Sequence, residues 1–158
     1  MNMKQLEIIF KNKPEQLEVY PTGTFDEDFK SEAYPFHGAK KIAFYLAGVT
    51  EINSIGIREW IKWLNTAQGA SFEFYECPKV IMNQINMVFG FLPKNSIVKS
   101  FYVPYYSEDS KTEKNILYTL GKEYTDSSIN FPEVKDEAGN LMDLDVIEAN
   151  YFKFLKRK

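Results

Sequence analysis

Apolar residues recur along this chain with two different periods. Leu6, Ile8 and Phe10 alternate with polar residues, the period of a half-buried strand. Residues 11–14, Lys-Asn-Lys-Pro, read as a turn, and residues 17–20 as a second strand, so an opening hairpin is expected. Residues 26–41 mix acids with Pro35 and Gly38; they read as an irregular connection with one short helix around 28–33. Residues 42–46 are apolar throughout, as in a strand covered on both faces. Ile57, Trp60, Ile61 and Leu64 then fall at i, i+3, i+4 and i+7, one buried face of a helix. Arg58, Lys62 and Asn65 fall on its other side, and Gln68-Gly69 closes it. Residues 72–77 form the next strand, ended by Pro78. Val80, Ile81, Ile85, Val88 and Phe89 define a second amphipathic helix, ended by Gly90. Residues 97–105 read as one further strand.

Strands that alternate with helices of this length imply right-handed crossovers and parallel pairing. The expected class is α/β: a small mixed sheet with crossover helices over residues 1–104, and a C-terminal β-hairpin and helix extension over 105–158 packed on it. Within the extension, 115–120 reads as a short strand and 121–142 as polar and turn-rich. Asp145 with Glu148 makes a capping box for a final helix over 146–156. Ile147, Tyr151, Phe154 and Leu155 of that helix are expected to face the body.

Composition narrows the function classes. In 158 residues, 44% are hydrophobic and 16% aromatic, enough for one domain with a sizeable core. The net charge of -3 argues against general affinity for nucleic acid or an anionic membrane. Lys153, Lys156, Arg157 and Lys158 make a basic end suited to a helix C-terminus. No apolar run approaches the roughly 20 residues that span a bilayer, so no membrane insertion is expected. The first residues lack a signal-peptide layout. Cys77 is the one cysteine, which rules out an internal disulfide and points to a reducing, cytoplasmic setting.

Candidate chemistry is sparse. His37 sits in a loop-like Tyr-Pro-Phe-His-Gly context with no evident nucleophile beside it, and reads as structural or solvated. Cys77 ends a strand and reads as a small buried residue; Lys79 would lower a reactive thiol's pKa, but Glu76 opposes it. Residues 26–28, Asp-Glu-Asp, read as a solvated acidic turn. There is no Gly-rich phosphate loop, no Gly-x-Ser-x-Gly elbow and no metal-spaced cluster. No catalytic residue, metal or cofactor is assigned, and an enzyme built on Cys77 and His37 is the least favoured class.

Two short motifs carry a resemblance to a known family. Gly23-Thr-Phe-Asp26 matches a Gly-x-Leu-Asp at the end of a second strand. Leu46-Ala-Gly-Val-Thr-Glu-Ile-Asn-Ser-Ile-Gly-Ile57 matches Leu-Ser-Gly-Val-x-x-Ile-Asp-Ser-Ser-Gly-Leu at a strand-to-helix joint. Over about two thirds of its length the chain resembles a STAS domain, the fold of anti-sigma-factor antagonists. In signalling members the second serine of Asp-Ser-Ser-Gly is phosphorylated by a partner kinase, which controls binding. Ile55 stands at that position here and Asn53 at the Asp; Ser54 matches the first serine. Either Ser54 or Asn53 is able to cap the helix, worth roughly 1 kcal/mol, and Gly56 permits close backbone approach. Ser54 remains the candidate for phosphorylation, since a phosphoryl group there would meet a helix N-terminus.

The tail carries a weaker resemblance, to a degenerate zinc ribbon. Ser107 and Ser110, then Lys135 and Ala138 with Gly139 after, match its two Cys-x-x-Cys knuckles. Tetrahedral zinc needs thiolates or imidazoles, and none of the four positions supplies one. An ordinary polar hairpin and loop is the alternative, and both readings stay open.

The resemblance implies a non-enzymatic protein-interaction module in signalling or assembly, with a protein partner such as a kinase-like regulator. The expected docking face is Asn53, Ser54, Ile55, Arg58 and Trp63. Trp63 lies roughly 60° to 100° off the buried stripe, and is the first contact residue expected if it is exposed. The alternative is a small-ligand sensor for nucleotides or lipids.

Overall fold

The structure, a computed structural model, describes residues 4–156. The first three residues, and Arg157 and Lys158 of the expected basic helix end, lie outside the described residues. β1 (Glu7–Asn12) and β2 (Leu17–Phe25) form the opening hairpin, antiparallel from Glu7↔Thr22 to Asn12↔Leu17. β3 (Lys41–Tyr45), β5 (Ser71–Tyr75) and β6 (Ser96–Val98) add to β2 in parallel, in the order β1-β2-β3-β5-β6. Parallel neighbours need a crossover, supplied by α1 (Ser54–Asn65) before β5 and α2 (Lys79–Met87) after it. The expected class, a small mixed sheet with crossover helices and a hairpin-and-helix extension, is what the chain forms.

The sheet has one packed and one open face. Ile42, Phe44, Phe72 and Phe74 point to α1 and are buried. The alternate positions turn outward, where Tyr20, Tyr45 and Tyr75 stack across three strands at 4.8 and 4.7 Å. The Tyr20 hydroxyl donates to Glu18 at 2.7 Å and the Tyr75 hydroxyl to Glu73 at 2.9 Å. The bond to Glu18 holds Tyr20 up to about 12, and burial followed by the Glu73 bond does the same for Tyr75.

Four expectations are corrected by this architecture. The turn after β3 contains a short strand, β4 (Val49–Ile52), parallel to the end of β2. The run 97–105 is not one strand: it divides at Lys99 into β6 and β7 (Ser100–Ser107), which belong to different sheets. The strand expected at 115–120 is β8 (Thr112–Thr119), antiparallel to β7 along its whole length. Phe89 is 97% exposed, because α2 ends at Met87 and Val88 is already extended at φ -106°.

The second sheet, β8-β7-β9, is completed by β9 (Asp143–Leu144). The final helix is also shorter than expected. Asp145 caps nothing; its backbone N–H donates to Pro104 O at 2.8 Å, which holds the chain on β7 up to the expected helix start, and the N-cap falls at Ile147. Only α3 (Glu148–Tyr151) and a 3-10 turn at Lys153–Lys156 form. Tyr151 and Leu155 face the body as expected, whereas Ile147 is 70% exposed. Phe101, Tyr118, Tyr124, Tyr151 and Phe152 pack together over Cys77, and the Tyr151 hydroxyl donates to Tyr102 O at 2.6 Å.

Candidate functional site

The first motif marks the point where β2 changes partner. β2 pairs with β3 at Leu17–Val19 and with β4 from Gly23, with a bulge between Gly23 and Thr24. Gly23 has φ 105°, and a Cβ there would lie 2.5 Å from Gln5 O. Its N–H donates to Gly48 O at 2.9 Å, joining the two motifs. Asp26 Oδ1 accepts the Asp28 N–H at 2.9 Å, an Asx turn in a solvent-facing acidic segment.

The second motif starts α1. Asn53, not Ser54, is the N-cap: its Oδ1 accepts the Gly56 N–H at 2.8 Å, and its own N–H donates to Phe25 O at 3.1 Å. Gly56 is buried against that same carbonyl, where a Cβ would fall 2.1 Å from the oxygen. The glycine therefore lets the helix start rest directly on the end of β2. This clamp leaves Asn53, Ser54, Ile55 and Arg58 exposed together around the first turn, with Ile55 at 45% exposure. Glu59 anchors the next turn. Its carboxylate accepts the Ser31 N–H and hydroxyl at 2.9 and 2.7 Å, bonds that hold its pKa below the usual range.

Trp63 does not join that face. It is fully buried, its ring packs on Phe29, Phe36 and Phe44, and its Nε1 donates to Tyr34 O at 2.8 Å. The reason is that the irregular connection after β2 folds over α1, so that Phe29, Tyr34 and Phe36 enclose Trp63 together with Phe25 and Phe44 of the sheet. The buried stripe is thus turned from the Ile57-Trp60-Ile61-Leu64 spacing: Gly56, Trp60, Trp63 and Leu64 are buried, and Ile57 and Ile61 are only half-buried. Trp60 also binds inward, donating to Phe91 O at 3.0 Å.

The other candidates separate. Cys77 is fully buried, and burial pushes its thiol far above the usual cysteine value, opposite to an activated nucleophile. His37 stands in an exposed turn at φ 52°, beside a shallow groove of about 230 Å³ between residues 35–40 and 66–68. A second groove of about 450 Å³ lies between Gln68 and Lys94. Both are at the C-terminal end of α1, roughly 18 Å of helix from Ser54. No cluster of three or more His, Cys, Asp or Glu able to hold a metal occurs among the described residues.

In the tail, Ser107 and Ser110 are brought to one point by a residue the sequence reading passed over, Asp136. Its Oδ2 accepts both hydroxyls at 2.7 Å, and its Oδ1 accepts the Ala138 and Asn140 N–H groups at 3.0 and 2.8 Å. The two serine bonds hold the carboxyl well below the usual range. Gly139, at φ 86°, closes the turn by donating to Asp136 O at 3.0 Å. Lys135 pairs with Leu141. Two hydroxyls and one carboxylate are not a tetrahedral zinc donor set; they form a hydrogen-bonded clasp between two turns. The one signal available in the sequence was an acid two residues before Ala138 and four before Asn140, the spacing of an Asx turn.

Fold and site define an α/β chain with a mixed sheet and crossover helices, the first of which starts on a capped turn seated against the end of β2. Among solved structures it is similar to an anti-sigma factor antagonist from Mycobacterium paratuberculosis, at 11% identity over 52% of this chain and 77% of that one, with a TM-score of 0.45. A likeness of that size carries no functional argument. No protein-family model and no curated protein matches the chain.

Proposed function

We propose that the chain is a non-enzymatic protein-interaction module of STAS type that docks a protein partner through the exposed start of α1. Ile55 is the observation that carries the reading. A large apolar side chain stands 45% exposed on the first turn of a helix whose position is set by backbone contact with β2. Exposed aliphatic area beside Ser54 and Arg58 favours association, and a rigid carrier lowers its entropic cost. The position offers no hydroxyl to phosphorylate, so Ile55 itself carries no phosphoswitch. Phosphorylation at Ser54 would add charge beside Ile55 and weaken apolar docking. Residues 105–158 act as an extension that covers β5 and α2 from one side.

The test is affinity capture with the tagged chain, followed by binding measurements on the recovered protein. Ile55→Asp and Arg58→Glu are expected to weaken binding at least tenfold, and Ser54→Ala to leave it unchanged. If Ile55→Asp binds as wild type, the face is wrong. A thermal-shift response to a nucleotide or lipid that survives both substitutions would favour the ligand-sensor reading instead.

A further inference from the structure

One edge of the main sheet is unpaired. β1 ends the order β1-β2-β3-β5-β6, and among the described residues no segment pairs with its outer side. Its backbone groups alternate in direction. Lys13 N–H donates to Gln16 O at 2.9 Å at the hairpin end, so along this antiparallel ladder the bonded pairs are Lys11↔Glu18, Ile9↔Tyr20 and Glu7↔Thr22. Pro21, which has no N–H to give, stands opposite Ile8 and agrees with that alternation. Ile8, Phe10 and Asn12 therefore turn their N–H and C=O groups outward, a template for one more strand.

The side chains along that edge are complementary to a second copy of themselves. On the open face of the sheet β1 carries Glu7, Ile9 and Lys11. Ile9 is 55% exposed, although it continues the row of Tyr20, Tyr45 and Tyr75. Lys11 lies over the Tyr20 ring at 4.7 Å, which keeps its ammonium on this face. An antiparallel strand centred on Ile9 brings Ile9 against Ile9 of the copy, Glu7 against Lys11, and Lys11 against Glu7. On the packed face the same register sets Ile8 against Phe10, both half-buried at the margin of the core. The backbone fits this register too. With Ile8 and Phe10 bonded across the join, Ile9 and the two charge pairs fall at the non-bonded positions, where side chains come closest. Moving the register by two residues sets Ile9 against Glu7 or Lys11. Moving it by one turns the copy's packed face to the open side.

We infer that β1 pairs antiparallel with β1 of a second copy of this chain, about a two-fold axis at Ile9, and joins the two sheets into one. The pairing is isologous, so each copy uses up its own edge and the assembly stops at a dimer. A second copy fits better than a foreign strand. The strand this edge asks for has a cation opposite Glu7, an aliphatic residue opposite Ile9 and an anion opposite Lys11, which is β1 itself run in reverse. The join is short, one Ile pair on the open face and two Ile–Phe pairs on the packed face, so the dimer belongs to the weak, concentration-dependent class. It uses none of the residues at the start of α1.

Sedimentation velocity on the full chain, from about 10 µM to about 1 mM, tests this. Wild type is expected to rise from 18.4 kDa toward twice that mass with concentration, and no further. Glu7→Lys sets like charges opposite each other at both ends of the join and should weaken association about tenfold. Lys11→Glu should do the same, and Ile9→Asp, which meets its own copy at the axis, at least as much. An equimolar mixture of Glu7→Lys with Lys11→Glu should associate as wild type does, because one chain then offers two lysines to the two glutamates of the other. Circular dichroism shows that each variant compared is folded; Glu7 and Ile9 face solvent, so those two should unfold with wild type. The inference is overturned if wild type stays at 18.4 kDa throughout, if it grows past a dimer, or if Glu7→Lys or Ile9→Asp associates as wild type. It is also overturned if the folded mixture associates no better than its components. A monomeric wild type that loses capture of another protein on Ile9→Asp overturns it as well; the edge then takes a foreign strand.

Discussion

Replacing Gly56 by alanine separates a structural joint from a chemical site. In most helices this substitution is favourable by about 1 kcal/mol, because glycine lowers helix propensity. Here the added methyl would lie 2.1 Å from Phe25 O and 2.5 Å from Phe25 C. Both are backbone atoms in the middle of a paired strand end, so they have no rotamer by which to move. The helix start must retreat by on the order of 1 Å, an overpacking cost of about 1–3 kcal/mol. The same retreat stretches the 3.1 Å bond from Asn53 N–H to Phe25 O, a further loss of about 1 kcal/mol. After the propensity gain, the net destabilisation is about 2 kcal/mol. For a chain of this size that lowers Tm by roughly 4–8 °C. Thermal unfolding followed by circular dichroism reads it directly. Ile55→Ala, one residue away and facing solvent, is the control and should leave Tm within about 1 °C of wild type. A Gly56→Ala protein with Tm equal to or above wild type would refute the close-approach argument, and with it the claim that the helix start is rigidly seated.

The remaining predictions concern the core, the tail and the sheet face. Trp63→Ala should cost about 3–5 kcal/mol in denaturant unfolding, since it empties the space between Phe29, Phe36 and Phe44 and leaves Tyr34 O without its donor. Asp136→Asn should lower Tm at neutral pH. Because the folded carboxyl is held below its unfolded value, the stabilisation is complete above the ordinary carboxylate range and fades as pH falls through the folded value, so the gap to wild type should shrink in acid. Cys77 should not react with an aromatic disulfide reagent until the chain unfolds, since it is fully buried and its thiol is pushed up. Tyr20 and Tyr75 should ionise near 12 by tyrosinate absorbance, and Glu18→Gln should bring Tyr20 down.

Where the pattern of the sequence reports a local period, it was informative. The alternation at Leu6, Ile8 and Phe10 marks β1, the unbroken 42–46 run marks the central strand, and the i, i+3, i+4, i+7 spacing marks α1. What it missed depends on partners that a one-dimensional period does not carry. β4 is four residues long and exposes Thr50 and Glu51 in succession, so it shows no alternation. The run 97–105 has no breaker at Lys99, and only the change of partner divides it. Trp63 lies off the stripe that the spacing marks, and is buried by a loop closing over it as well as by Phe25 and Phe44 of the sheet. That Asn53, Ser54, Ile55 and Arg58 stand exposed together at the start of α1 follows from a helix start, which fixes neighbours within one turn.

The tail shows the same division at the level of energetics. Residues 107–112 and 135–140, the two turns, carry no large apolar side chain, so packing alone gives little reason for them to stay together. Thiolates on a metal would supply that cohesion, and these positions have none. Asp136 supplies it by other means: one buried carboxylate takes hydrogen bonds from Ser107 and Ser110 on one turn and from Ala138 and Asn140 on the other. A satisfied buried charge is costly to disturb, so removing one acceptor should loosen both turns at once. Removing one serine leaves the carboxylate with its remaining donors. Ser110→Ala should therefore cost less than Asp136→Ala, and adding a metal chelator should change neither. If Ser110→Ala and Asp136→Ala unfold at the same temperature as wild type, the clasp is ornamental and the aromatic cluster around Phe101 alone holds the extension.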